Sequence, residues 1–133
     1  RDVLGSRGLG DVYKRQHNCV VYTGTHDNDT VMGWYDTLKG ADKKLCDDYL
    51  RLKNADGEPI PREQLPWEFV RAAMSSVADL AIIPMQDYLG LGSEARINIP
   101  STLGINWKWR MGNGDFTKEL AGRIRSMTKL YGR

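Results

Sequence analysis

Two short apolar runs, "CVVYT" at residues 19–23 and "LAIIPM" at residues 80–85, each stop in a polar stretch: "GTHDNDT" after the first, "QDYLGLGSEARINIP" after the second. Neither run alternates polar and apolar side chains, so each reads as a strand buried on both faces, the habit of a parallel sheet. Parallel strands need a long crossover between them, usually helical. The chemistry-bearing residues would then cluster at strand C-termini, where a rigid element positions what a loop displays.

The segment between the runs has the required helical period. Val31, Trp34, Tyr35 and Leu38 share one face, with Asp29 as the expected N-cap and Gly40 as the expected stop. A second helix is expected over 41–52, with Leu45, Tyr49 and Leu52 inward and the "DKK" and "DD" charges outward. "KNADGEPIPREQLP", residues 53–66, holds three prolines and an Asp-Gly pair and reads as a loop. A third helix should start near Trp67, burying Leu65, Phe69, Val70, Ala73, Met74 and Val77. The last should follow a cap at Asp115 and present Leu120, Ile124, Met127 and Tyr131. The order of elements is α/β. Two strands leave both sheet edges open, so the chain reads as part of something larger.

Composition excludes little. At 133 residues, 41% hydrophobic and 27% charged, with a formal charge of +2, the chain has the balance of an ordinary soluble domain and no electrostatic signature of a nucleic-acid or membrane partner. No apolar stretch approaches the ~20 residues of a membrane span and no secretory signal is visible, so a cytoplasmic chain is the expectation. Cys19 and Cys46 are too few for a disulfide framework and are expected as thiols. Residues 1–16, "RDVLGSRGLGDVYKRQ", show no sustained period, and "GLGDVYKRQ" resembles translated adapter read-through. They are expected to be an irregular, non-native leader, with residues 17–133 forming the folded part.

Residue pattern alone leaves "GTHDND" open. A metal site built from His17, Cys19, His26 and Asp27 matches no standard ligand spacing. A nucleophile with an adjacent base lacks an activated serine or cysteine. A helix cap at Asp29, with His26 and Asp27 as plain loop residues, competes with both readings. In the second loop, Arg96 could bind a ligand or pair with Glu94 or Asp87. "INWKWR" would put Trp107 and Trp109 on one side if extended, either as a stacking platform or as core. "GLGSEAR" lacks the ending of a phosphate-binding loop, and its glycines, like Gly112 and Gly114, read as turn formers.

"VVYTGTHDNDTVMGWY" and "IIPMQDYLGLGSEARINIPSTLGINWKWRM" resemble the C-terminal part of the amylomaltases, the 4-alpha-glucanotransferases of glycoside hydrolase family 77 in the alpha-amylase clan. The resemblance runs from about His17 to the C-terminus. It implies a (β/α)8 barrel, with the first motif closing strand seven and the second forming strand eight and its loop. It also implies retaining transfer of α-1,4-glucan segments between maltooligosaccharides, with no metal or organic cofactor. Retention needs two carboxyl groups about 5 Å apart. The family carries these on earlier strands, in segments like "RIDH" and "AEDLG" that do not occur in the 133 residues. Glu94 lies in the strand-eight motif and does not stand in for them. By position, Asp27 matches a third aspartate that grips ring hydroxyls at the cleaved bond, and His26 its sugar-binding neighbour. Asn98 matches a family position that reaches the sugar on the acceptor side, and Arg96 and Trp107 are expected to bind substrate with it. Two alternatives remain at this stage: a non-catalytic carbohydrate-binding fragment, and a metal-dependent hydrolase using His26 and Asp27.

Overall fold

The computed structural model describes residues 17–133, so the expected leader, 1–16, lies outside the described residues. Strand β1 (Val20–Tyr22) pairs in parallel with β2 (Leu80–Ile82), Val20 facing Leu80 and Tyr22 facing Ile82. Among the described residues five α-helices complete the frame: α1 (Val31–Thr37), α2 (Gly40–Tyr49), α3 (Leu65–Met74), α4 (Met85–Tyr88) and α5 (Lys118–Leu130). Short 3-10 turns stand at Arg62–Gln64 and Ser93–Ala95. No helix among the described residues is long and apolar enough to cross a membrane.

Helix α3 is the hub. Pro66 stands in its first turn, where the missing N–H costs nothing, and Leu65, Phe69, Val70, Ala73 and Met74 are buried as their spacing predicts. Phe69 presents its ring edge-on to Trp34 and Tyr35, with centroids 6.1 and 6.2 Å apart, and belongs to a core with Val31, Met32, Cys46, Leu52 and Leu65. Trp67, Val70 and Met74 face a second core with Met127 of α5, and Ala81 and Ile83 pack against it from β2 and its end. The helices therefore cover one face of the strand pair. The other face stays open: Val20, Tyr22, Leu80 and Ile82 are all exposed, so neither strand is buried on both sides as its composition suggested. Val77, also expected inside, is exposed. At the C-terminal end of α3, Arg133 donates to the carbonyls of Met74 and Ser76 at 2.7 and 2.9 Å, a cation where the helix leaves acceptors unpaired.

Three local expectations are corrected. The caps are threonines: Thr30 Oγ1 accepts from Gly33 N at 3.1 Å and Thr117 Oγ1 from Leu120 N at 3.1 Å, in place of Asp29 and Asp115. Threonine and aspartate cap by the same oxygen-to-amide bond, so neighbouring caps compete on geometry alone. Each displaced aspartate binds nearby, Asp115 Oδ2 accepting from Gly112 N at 2.7 Å. Gly40 does not stop α1, which ends at Thr37; it opens α2 with a positive φ of 55°. Helix α2 is also rotated from its expected phase. Leu45 and Tyr49 are 57% and 72% exposed, whereas Cys46 and Asp47 are buried. Asp47 goes inside because it is satisfied there, its Oδ1 accepting from Tyr35 Oη at 2.7 Å and its Oδ2 from Lys43 Nζ at 3.0 Å.

Candidate functional site

The loop leaving β1 is folded by its own polar residues. Asn28 N donates to Thr25 O at 3.1 Å, while Asn28 Oδ1 accepts from both the amide and the hydroxyl of Thr25 at 2.8 Å. This closes a tight turn whose two central residues are His26 and Asp27. A turn displays what a strand would bury, and the His26 and Asp27 side chains remain 55% and 49% exposed. His26 Nε2 lies 3.3 Å from Asp27 Oδ1.

The loop leaving β2 meets this turn from the other side. Beyond the Ser93–Ala95 turn, Arg96 Nη2 donates to the carbonyl of Asp27 at 2.7 Å and Arg96 Nε to the carbonyl of Asn98 at 3.0 Å. Arg96 thus straps two backbones together rather than pairing with Glu94 or Asp87. Glu94 accepts from Gly92 N at 2.9 Å instead. Asn98 Nδ2 donates to Asp27 Oδ1 at 2.7 Å across a separation of 71 residues. The Trp107 ring lies 5.2 Å from that of His26, tilted 30°. Trp107 reaches this place through a positive φ of 64°, so the chain is not extended here, which was the condition for a shared side with Trp109. All five residues singled out from the sequence, His26, Asp27, Arg96, Asn98 and Trp107, meet at one corner.

Asp29 adds another tie between the loops, accepting from Ser93 Oγ at 2.6 Å and from Thr30 N at 2.8 Å. Beneath it lies the residue that sequence reasoning passed over. Asp87 is 1% exposed and accepts from Thr23 Oγ1 at 2.6 Å and from Val31 N at 2.9 Å. Burial pushes its carboxyl above the ordinary carboxylate range, against the two donors that favour the ionised form. The available signal was its place: a carboxylate at the end of an apolar strand either works or ties loops. Gln86 beside it is also buried and donates to Ala95 O at 3.3 Å.

An open cleft of about 470 Å³ runs along this corner. His26, Asp29, Gln86, Asp87 and Arg96 contribute polar wall, and Tyr22 and Ile82, from the uncovered strand face, contribute apolar wall. Asp27 Oδ1 is engaged by Asn98 and His26, while among the described residues Oδ2 takes no hydrogen bond. A fixed carboxylate with one open acceptor, flanked by an imidazole, an amide and an indole, suits a ligand made of adjacent hydroxyls. The metal alternative finds no third ligand, since among the described residues no group of three or more His, Cys, Asp or Glu side chains could hold an ion.

Fold and corner together define an α/β protein of the kind that builds its site where parallel strands end. The particular lineage comes from comparison. The family described as 4-alpha-glucanotransferase matches residues 6–115, and the chain belongs to that family, glycoside hydrolase family 77. The match begins within the stretch expected to be a leader and ends before α5. A 4-alpha-glucanotransferase of Clostridium butyricum is 47% identical over 119 residues, covering 89% of this chain and 23% of the relative. One from Thermus thermophilus is 44% identical over 119 residues, covering 88% and 23%. Among solved structures, an amylomaltase from Streptococcus agalactiae in complex with acarbose aligns with a TM-score of 0.76 at 32% identity, covering 86% of this chain and 22% of that one. The chain spans less than a quarter of the length of these relatives.

Proposed function

We propose that residues 17–133 are the C-terminal part of a cytoplasmic (β/α)8 glucanotransferase barrel, with β1 and β2 as its seventh and eighth strands. The parent protein transfers α-1,4-glucan segments from one maltooligosaccharide to another with retention of configuration. The observation that carries this reading is the Asp27–Asn98 bond, which fixes a half-exposed carboxylate just past a strand end with one oxygen open among the described residues. Family membership and the acarbose bound to the amylomaltase neighbour support the substrate class.

Retaining transfer needs a nucleophile and an acid/base about 5 Å apart, and both would come from parts of the barrel outside these residues. Asp27 attacks nothing. It accepts hydrogen bonds from adjacent hydroxyls of the sugar at the cleaved bond, and its charge interacts more strongly as positive charge grows at the anomeric carbon. His26 and Asn98 direct it, Asn98 reaching the sugar on the acceptor side, while Arg96 holds the backbone beneath it and Trp107 offers an indole face to a sugar ring.

The test is Asp27→Asn in the full-length parent, incubated with maltotriose while glucose and longer maltodextrins are followed. Turnover should fall by about a hundred- to a thousandfold, the scale of one lost transition-state contact, with a much smaller change in KM. Near-parental turnover would return "THDND" to the status of a loop that leads into a helix.

A further inference from the structure

The turn that displays His26 and Asp27 is closed by its own bonds between Thr25 and Asn28, which are local. Local bonds shape the turn without deciding where it sits against the second loop. Arg96 and Ser93 contribute to that placement, but through bonds made in exposed surroundings, where water competes. Asp87 acts from within the protein. One carboxylate oxygen takes Thr23 Oγ1, at the residue that follows β1, and the other takes Val31 N, the first residue of α1. These are the two ends of the loop.

The base of this clamp is rigid. Asp87 N donates to Pro84 O at 3.0 Å, so the carboxylate is carried by the turn that ends β2. Displacement of β2 would move both ends of the first loop together. Val31 N is among the amides that a helix start leaves unpaired, so losing its acceptor leaves a buried donor unsatisfied. We propose that Asp87 is the positioning residue of the site: by holding both ends of the loop from 23 to 31, it sets where Asp27 meets the sugar. This rests on the reading of Asp27 given above. Asp87 itself, buried at the wall of the cleft with both oxygens bonded to the loop ends, does its work through Asp27.

The side chain's two roles call for two acceptors, or one acceptor and a partner that can reverse. Thr23 is such a partner, since its hydroxyl can accept as well as donate. Asp87→Asn can keep its oxygen on Val31 N and turn its amide nitrogen toward Thr23 Oγ1. Asp87→Ala can keep neither bond. In the full-length protein, Asp87→Ala should lower kcat for maltotriose disproportionation about ten- to a hundredfold, the cost of a small misplacement, with KM within about threefold. Asp87→Asn should recover most of that loss.

Two further readouts separate positioning from general support. In an Asp27→Asn background the kcat loss from Asp87→Ala should vanish, because the group being placed is already disabled. Amide hydrogen exchange should quicken across residues 24–30 while α3 keeps its protection. Thr23→Val releases only one end of the loop and should show the same pattern at smaller scale, which keeps the test available if Asp87→Ala does not fold. Exchange that quickens equally in α3, or a kcat loss repeated in full in the Asp27→Asn background, overturns the proposal. If Asp27→Asn itself leaves turnover intact, the reading of Asp27 fails, and the exchange data alone decide whether Asp87 holds the loop.

Discussion

Gly33 and Gly122 lie in the interior of helices, and the same substitution should have opposite signs at the two. Gly122 is exposed on α5, and a methyl group there would meet nothing within 4 Å. Gly122→Ala should therefore collect the ordinary helical preference and stabilise the protein by about 1 kcal/mol. Gly33 on α1 is buried where the two strand-end loops close on it. An added Cβ would lie 2.6 Å from Asp29 Oδ1 and 2.8 Å from Asp29 Cγ, and would collide with Ser93 Oγ. Ser93 Oγ and this carboxylate, through its Oδ2, make the 2.6 Å Ser93–Asp29 bond, which must open or push α1 off Phe69. Opening a hydrogen bond to a charged group costs about 1.5–3 kcal/mol, and overpacking costs about 1–3. Set against the same helical gain of about 1 kcal/mol, Gly33→Ala should be net destabilising by about 1, some 2 kcal/mol below Gly122→Ala. Urea denaturation midpoints of both variants in the full-length protein read the difference, and adding Ser93→Ala should recover part of the Gly33→Ala loss. A Gly33→Ala protein as stable as its parent would show that the loops yield freely, and the account of a tightly tied corner would be wrong.

The remaining predictions concern groups away from the corner. Burial alone would raise the carboxyl of Asp47, but the hydrogen bonds from Tyr35 and Lys43 outweigh it and hold it below its ordinary value. A depressed carboxyl contributes stability that is present at neutral pH and lost as pH falls through the carboxylate range. Tyr35→Phe should lower stability by about 1–3 kcal/mol at pH 7 and flatten the acid limb, as urea midpoints between pH 7 and 3 would record. Burial pushes the Cys46 thiol up to about 11, so it should resist iodoacetamide at pH 8 until denaturant is added; fast native alkylation, read by mass spectrometry, would contradict its placement. Arg62 and Asp36 make a bidentate pair at 2.9 and 2.6 Å, yet both are largely exposed, so Arg62→Ala should cost less than about 1 kcal/mol in the same urea assay.

What could be read in the sequence was whatever depends on local period. The strands, the stripe of α3 and the residues flanking the polar loops follow from spacing and from turn chemistry. Assigning His26, Asp27, Arg96, Asn98 and Trp107 to one site needed more, because pattern alone left a cap, a metal and a sugar-binding reading open. The resemblance drew them into a single expectation, and the structure brings them to one corner. What was illegible depended on partners distant in sequence. The phase of α2 turns on Asp47 finding Tyr35 and Lys43, and a count of apolar residues prefers Leu45 and Tyr49. The strands looked doubly buried because composition records what a residue prefers, while the open face of Val20, Tyr22, Leu80 and Ile82 reflects what lies against it. Asp87 escaped because only the pairing of two strands reveals that both its partners are on the other loop.

The parallel register of β1 and β2 also governs when this corner can exist. Val20 meets Leu80 only after the whole crossover between them has been made, and the bonds that finish the site span 64 and 71 residues. Closing so long a loop costs entropy that only contacts at both ends repay, so this pairing belongs to the slow, late part of assembly. A nascent chain that stops at α3 can form helices, yet it has neither Asp87 nor Asn98 with which to place Asp27. The placing of Asp27 therefore waits for the stretch that carries Asp87 and Asn98, and a molecule made only as far as α3 has no half-formed corner.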